Sequence, residues 1–221
     1  PEYELWAWGP GLGQLSFDPF CLSIITYLQL AGIPWKLHVT TNWKRSNTGR
    51  LPVLRHGAVT AHGTTEILKL LSKRPFDLDG RLSPSELADH AALIAMIEET
   101  LHDAWLYTLW VERANFAEIT EKHIPMSWIE RRYLPYLLRE QAQARLAGAY
   151  GMASVFRIFG AARACYAALE ARMGDGVFLG GATPAALDAV VYGHLALHLA
   201  PSLSVPHLSS MLAFEFPRLC A

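Results

Sequence analysis

The residues best placed to do chemistry form a short run, Asp18-Pro19-Phe20-Cys21, which follows an apolar segment and a glycine-rich loop. Proline is favoured at the first helical position, so Pro19 predicts a helix over residues 19–31 with Asp18 as its N-cap. A thiolate at an N-cap is stabilised by unpaired amides and by the helix dipole. A carboxylate occupies the same amides but offers no sulfur. Asp18 therefore predicts a cap, contributing about 1 kcal/mol, and not a nucleophile.

Three other groups could carry chemistry. Cys21 lies one turn into the helix, and without a second cysteine at position 18 it is predicted to be a small apolar residue. The Ser16 hydroxyl precedes the cap by two residues, where hydrogen bonding within the loop is the ordinary role and catalysis the alternative. His194 and His198 have the four-residue spacing of a zinc site. No glutamate follows His194 directly and no cysteine is near, so we predict buried histidines and no metal.

Composition limits the possible classes of protein. A chain of 221 residues with 52% hydrophobic residues and a net charge of −1 can form one compact unit or two small lobes, and carries no nucleic-acid signature. Three widely spaced cysteines do not make a disulfide framework and indicate a reducing compartment. The longest apolar segment, residues 185–199, is shorter than the ~20 residues that a membrane span needs. We expect no transmembrane helix.

The order of predicted elements indicates an α+β fold with two parts. Residues 3–8, 36–40, 53–55 and 58–60 are predicted strands and residues 19–31 and 64–72 are predicted helices, an order that suggests a thioredoxin-like lobe over residues 1–73 with a four-stranded sheet. From Pro84 onward, apolar residues recur at helical spacing to about residue 114, and helices are predicted at 134–146, 155–173, 184–199 and 203–214. Residues 83–221 should form an all-helical C-terminal lobe. This architecture resembles the glutathione transferases.

That resemblance identifies a degenerate site. Pro52 opens a strand and is either a cis-proline beside a binding groove or an ordinary strand-edge proline. Glutathione transferases hold the γ-glutamyl end of glutathione with an acidic residue and a hydroxyl before the next helix, and here those positions are Gly63 and Thr64. The carboxylate is missing, and Thr64 predicts a helix cap. The predicted degenerate site consists of Asp18, Cys21, Pro52, Gly63 and Thr64.

Basic and aromatic residues supply a candidate interface with an acidic partner or with acidic lipid headgroups. Solvated charges, including Arg139 and Arg145, and core aromatics are the ordinary alternatives. The candidate interface residues are Trp43, Lys44, Arg45, Trp105, Trp110, Arg131 and Arg132.

The chain also resembles the metaxin family through residues spread along most of its length. The matching residues, in chain order, are Trp8-Gly9-Pro10-Gly11-Leu12-Gly13, Asp18, Cys21-Leu22, Thr26-Tyr27, Gly32-Ile33-Pro34-Trp35-Lys36-Leu37-His38, Asn42, Ser46, Gly49, Leu51-Pro52-Val53-Leu54, Glu98-Glu99-Thr100-Leu101, Trp110-Val111-Glu112, Asn115-Phe116, Phe178-Leu179-Gly180, Pro184-Ala185-Ala186-Leu187-Asp188-Ala189-Val190 and Leu195-Ala196.

The metaxin resemblance implies a non-enzymatic subunit, without a cofactor, of the sorting and assembly machinery. Such a subunit would lie on the cytosolic face of the mitochondrial outer membrane, beside a β-barrel assembly channel and a second metaxin-like subunit. It would assist the insertion of β-barrel precursors and would meet the membrane surface through its partners or a C-terminal tail. An accessory subunit of another mitochondrial membrane complex, or a metaxin used in organelle trafficking, and a glutathione-dependent transferase remain the alternatives.

Overall fold

A four-stranded mixed sheet forms the first part of the chain. The computed structural model describes residues 2–42, 46, 49–73, 75–124, 126–151, 155–199 and 203–220. The strands are β1 (Tyr3–Ala7), β2 (Trp35–Val39), β3 (Val53–His56) and β4 (Val59–His62), in the order β2-β1-β3-β4. β1 pairs in parallel with β2, and the other two pairs are antiparallel. Each predicted strand is confirmed to within two residues at either end.

Two helices accompany this sheet. α1 (Pro19–Leu30) connects the parallel strands β1 and β2, as a crossover connection must, and α2 (Gly63–Leu71) follows β4 directly. Alternate residues of β1 are buried, and nine of the twelve residues of α1 are buried. α1 is therefore a core helix, packed between the sheet and the second part of the chain.

The second part begins at a strong helix start. Ser83 and Glu86 form a capping box at α3 (Pro84–Met96), which continues through a π-helical segment (Ile97–Leu101), α4 (His102–Leu106) and a second π-helical segment (Tyr107–Val111). The predicted long helix is thus present, but it ends three residues early because the Glu112 backbone is extended. A helical segment that periodicity did not predict follows, α5 (Arg113–Glu118) with the π-helical turn Ile119–His123.

The remaining helices are α6 (Trp128–Tyr150), α7 (Val155–Met173), α8 (Ala186–Leu199) and α9 (His207–Glu215), with a short 3₁₀ helix at Pro217–Cys220. α6 starts six residues before its predicted start, because Ser127 and Glu130 form a second capping box. Among the described residues no single helix is long and apolar enough to cross a membrane. The pair α6 and α7, bent by 80°, passes that test together on length and composition only.

The two parts pack against each other along α1 and α8. A Cβ atom at Gly193 would lie 2.2 Å from Ser23 Oγ, so only glycine allows this close approach. The Asp188 carboxylate accepts hydrogen bonds from the amides of Leu179 (2.7 Å) and Ala185 (2.8 Å) and fixes the start of α8. Asp79, from the connection between the two parts, accepts a hydrogen bond from the Ala186 amide at 2.8 Å. These contacts fix the geometry of the cleft between the two parts.

Candidate functional site

The N-terminus of α1 lies at this cleft and is capped by Asp18. Its Oδ1 accepts a hydrogen bond from the Cys21 amide at 2.9 Å, as the sequence predicts. The Asp18 amide donates to Ser16 Oγ at 3.2 Å, which is the loop role expected for that serine. Burial raises the pKa of Asp18 to about 6, although the Cys21 amide opposes this rise. The carboxylate therefore occupies the position where an activated sulfur would be stabilised.

Cys21 is fully buried behind the cap. Burial, and then the charge of Asp18, raise the pKa of the Cys21 thiol well above its ordinary value. A thiol in this state is neither ionised nor accessible, so it behaves as the apolar residue that the sequence predicts. Cys21 is not a sulfur nucleophile in this structure.

The first cavity at the cleft has a volume of about 160 Å³. The Leu51–Pro52 peptide bond is cis, which decides between the two sequence interpretations of Pro52, and Leu51 lies on the wall of the cavity. Asp18, Phe20 and Arg50 also come from the first part of the chain. The second part contributes His102, Leu106, Trp110, Leu138, Gln141, Ala142 and Arg145.

Gly63 and Thr64 lie on a neighbouring cavity of about 300 Å³, which shares Arg50 and Arg145 with the first. The structure corrects one prediction here, because Thr64 does not cap α2. The N-cap is His62, whose amide donates to Glu66 Oε2 at 3.0 Å, while the Thr64 side chain is buried. Gly63 has a φ of +72°, a conformation that suits glycine and disfavours a residue with a side chain. Position 63 supplies no carboxylate, but Glu98 and Glu99 of the second part line the same cavity.

Three residues that the sequence did not assign to a site also lie at the first cavity. Arg50 and Arg145 approach it from opposite parts of the chain, and Arg145 Nε donates to the buried Asp103 Oδ1 at 2.5 Å. Burial lowers the pKa of His102 well below its ordinary value, and the positive charge of Arg145 acts in the same direction, so the His102 ring is neutral. Of these three residues, only Arg50 had a local sequence signal, the turn-rich loop that contains it. The positions of His102 and Arg145 at the cavity depend on how the helices cross.

The candidate interface divides into three groups. Trp105 and Trp110 are buried, so the prediction that they form an exposed interface is wrong. They are buried because they lie on the apolar stripe of the long helix, which faces the core. Arg131 and Arg132 are exposed on α6. The remaining three candidates, Trp43, Lys44 and Arg45, lie outside the described residues.

The pair His194 and His198 is buried in the core. His198 Nδ1 and the Tyr166 hydroxyl are 2.6 Å apart, and His194 Nδ1 is 3.0 Å from the Val190 carbonyl oxygen. Burial lowers the pKa of His194 to about 4, so the ring is neutral at pH 7. Among the residues that the structure describes, no three histidine, cysteine or acidic side chains are grouped to hold a metal ion.

The sequence relatives identify the family. A family profile described as "Outer mitochondrial membrane transport complex protein" matches residues 21–139, and a glutathione S-transferase C-terminal domain profile matches residues 162–221. Mouse Metaxin-1 is 32% identical over 95% of this chain and 69% of its own length. The chain belongs to the metaxin family. Metaxin-3 of Xenopus laevis is 31% identical over 87% of this chain, and human Metaxin-1 is covered over 45% of its length.

Solved structures confirm the predicted fold. A glutathione transferase from Phanerochaete chrysosporium superposes with a TM-score of 0.67 at 15% identity, covering all of this chain and 96% of that one. A glutathione S-transferase of Ceriporiopsis subvermispora, in complex with glutathione, gives a TM-score of 0.61 at 17% identity, with coverage of 100% and 98%. This member of the metaxin family therefore has a thioredoxin-like lobe with a four-stranded sheet, followed by an all-helical lobe.

Proposed function

We propose that this protein is a non-enzymatic, metaxin-like subunit of the mitochondrial outer-membrane sorting and assembly machinery. It assists the insertion of β-barrel precursors through protein–protein contacts, on the cytosolic face, beside a β-barrel assembly channel and a second metaxin-like subunit. Its membership of the metaxin family supports this role, as does the family profile for an outer-membrane transport complex. The first lobe, residues 1–73, and the helical lobe, residues 83–221, form the body that its partners contact.

The observation that carries the non-enzymatic role is the Asp18 carboxylate at the N-terminus of α1. It accepts a hydrogen bond from the Cys21 amide. Its negative charge would repel a glutathione thiolate that approached the amides at this helix N-terminus. Cys21 is buried and protonated, and Gly63 supplies no carboxylate where the transferases carry one, although Glu98 and Glu99 line the same cavity from the second part of the chain. Transfer from glutathione needs an activated sulfur and a positioned tripeptide, and Asp18, Cys21 and Gly63 oppose both requirements.

The proposed function is tested by isolating the protein with its partners. The chain is tagged in its own cells, mitochondria are solubilised in mild detergent, and proteins that co-migrate on a native gel are identified by mass spectrometry. We expect a β-barrel assembly channel and a second metaxin-like protein in the same band. Co-migration with a different membrane machinery alone would replace this proposal with the accessory-subunit alternative.

A parallel assay tests the transferase alternative, which the glutathione-transferase fold suggests. The purified chain is incubated with glutathione and an electrophile, beside Ser16→Ala and Cys21→Ala variants. We expect no turnover above the uncatalysed rate for any of the three proteins. Turnover by the wild type that is lost in either variant would show that Ser16 or Cys21 is catalytic, and would overturn the non-enzymatic role.

A further inference from the structure

The first turns of α6 expose an unusual number of large side chains. The exposed fractions are 73% for Trp128, 55% for Ile129, 50% for Tyr133 and 62% for Tyr136. Single exposed apolar residues are normal on a protein surface, but four within nine residues of one helix form a cluster. We call these four residues, together with Arg132 on the same side of the helix and the exposed Arg131 that flanks it, the outer face of α6.

The cluster follows the helical repeat. Ile129, Tyr133 and Tyr136 are separated by four and three residues, so their side chains form one stripe along the helix. The buried residues of α6, including Leu134 and Ala142, lie on a different side and pack toward the core. α6 therefore has one apolar stripe that the fold buries and a second that is largely exposed, in which Tyr136 also packs edge-on against Phe116.

The outer face carries positive charge. Arg131 and Arg132 are exposed, and neither forms an ion pair with any residue that the structure describes. The nearest carboxylate in sequence, Glu130, is already engaged by the Ser127 amide (2.9 Å), the Ser127 hydroxyl (2.6 Å) and the Thr41 hydroxyl (2.8 Å). The two guanidinium groups are thus available to an external anion.

We propose that the outer face of α6 docks on an anionic lipid surface. Tryptophan and tyrosine favour the membrane interface, because their rings are apolar and their N–H or O–H groups reach water. Arginine pairs with lipid phosphate groups, so the two guanidinium groups complement the charge of an anionic headgroup layer beside the aromatic rings. This inference goes beyond the proposed function, because the contact requires only lipid and no partner subunit.

Vesicle co-sedimentation with the purified chain tests the inference. The vesicles contain either phosphatidylcholine alone or phosphatidylcholine with about 30% phosphatidylserine, an anionic lipid. We expect binding to the anionic vesicles and much weaker binding to the neutral ones. Each basic residue near a charged membrane contributes about 1 kcal/mol, so Arg131→Ala with Arg132→Ala should lower the partition coefficient about thirtyfold.

Two further variants separate this face from general charge effects. Trp128→Ala with Tyr133→Ala removes apolar contacts and should lower the partition coefficient about tenfold or more. The control, Lys69→Ala with Lys73→Ala, removes the same charge from exposed positions at the C-terminal end of α2 and should bind like the wild type. All substituted side chains are exposed, so thermal midpoints should match that of the wild type.

Two outcomes would overturn the proposal. In the first, the wild-type chain binds neither kind of vesicle. If the α6 variants are then also missing from the complex on the native gel, the outer face of α6 docks on a protein and not on lipid. In the second, the control variant loses as much binding as the arginine variant, which would show that attraction is due to net charge and not to α6. The vesicle assay contains no partner subunit, so its failure leaves the proposed function to be judged by the native gel.

Discussion

Replacing Asp18 by asparagine should change how stability depends on pH. The asparagine side-chain oxygen can accept the Cys21 amide and keep the cap, but the ionisable group is lost. In the folded protein burial raises the pKa of Asp18 from 3.8 to about 6. The folded protein therefore holds this proton more tightly than the unfolded chain does, and the stability that protonation supplies is lost as the pH rises from about 4 to about 6.

The size of the effect follows from that pKa. One pKa unit corresponds to about 1.4 kcal/mol, so ionising Asp18 costs the folded protein about 3 kcal/mol of unfolding free energy. The Asn variant does not have this cost. The difference in unfolding free energy, variant minus wild type, should rise by about 3 kcal/mol between about pH 4 and about pH 7. Buried histidines also titrate in this range, but they are common to both proteins and cancel in the difference.

Urea unfolding of both proteins across this pH range measures that difference. Asp18→Ala is the control, since it loses the cap as well as the charge. Its difference from the wild type should show the same pH dependence, displaced downward by about 1 kcal/mol. A difference between Asp18→Asn and the wild type that stays constant from about pH 4 to about pH 7 would refute the reasoning. Asp18 would then have an ordinary pKa and could not be desolvated in the cleft.

Two further predictions concern the helical lobe. Burial lowers the pKa of His194 from 6.5 to about 4, so the stability that its neutral ring contributes is complete above pH 6.5 and is lost as the pH falls toward 4. The His194→Gln variant lacks this titration. Its free energy of unfolding, measured in urea, should therefore fall by about 3 kcal/mol less than that of the wild type over this range. Parallel acid loss in the two proteins would contradict that prediction. Asp188 accepts three backbone amides at the start of α8, so Asp188→Ala should cost about 3 kcal/mol or more and lower the thermal midpoint, whereas Asp188→Asn should cost less. Equal midpoints for the Ala variant and the wild type would rule out a role for these hydrogen bonds in stability.

Features encoded over a few residues could be predicted from the sequence. The Asp18 cap needs only Pro19 and the following amides, and the start of α3 needs only the capping box of Ser83 and Glu86. The apolar repeat of the long helix was also visible, but its end was not, because one extended residue, Glu112, stops it. Periodicity reports which residues favour a helix and is insensitive to a single backbone break.

Features that depend on tertiary contacts could not be predicted in the same way. Arg145 pairs with Asp103, 42 residues away, and this contact exists only because α6 crosses α4. Thr64 is a suitable cap by residue type, but α2 begins at Gly63 with His62 as its N-cap, so Thr64 lies inside the helix with its side chain buried. The exposed stripe of α6 was missed because Ile129 and Tyr133 precede the predicted helix start at residue 134, so the sequence did not place them on a helix.

Three residues at the cleft differ from the site of a glutathione transferase, each in a different way. Together they argue against transferase activity more strongly than any one of them does. Asp18 replaces the nucleophile with a charge that excludes a thiolate, Gly63 supplies no carboxylate although Glu98 and Glu99 line its cavity, and Cys21 is buried beyond reach. A transferase could compensate for one such loss by recruiting another group, but the hydroxyl of Ser16, the candidate beside the cap, is buried and already accepts a hydrogen bond from the Asp18 amide. Among the residues that the structure describes, Asp18, Gly63 and Cys21 therefore argue against activation of sulfur at the N-terminus of α1, which supports the proposal that the protein acts through its surfaces.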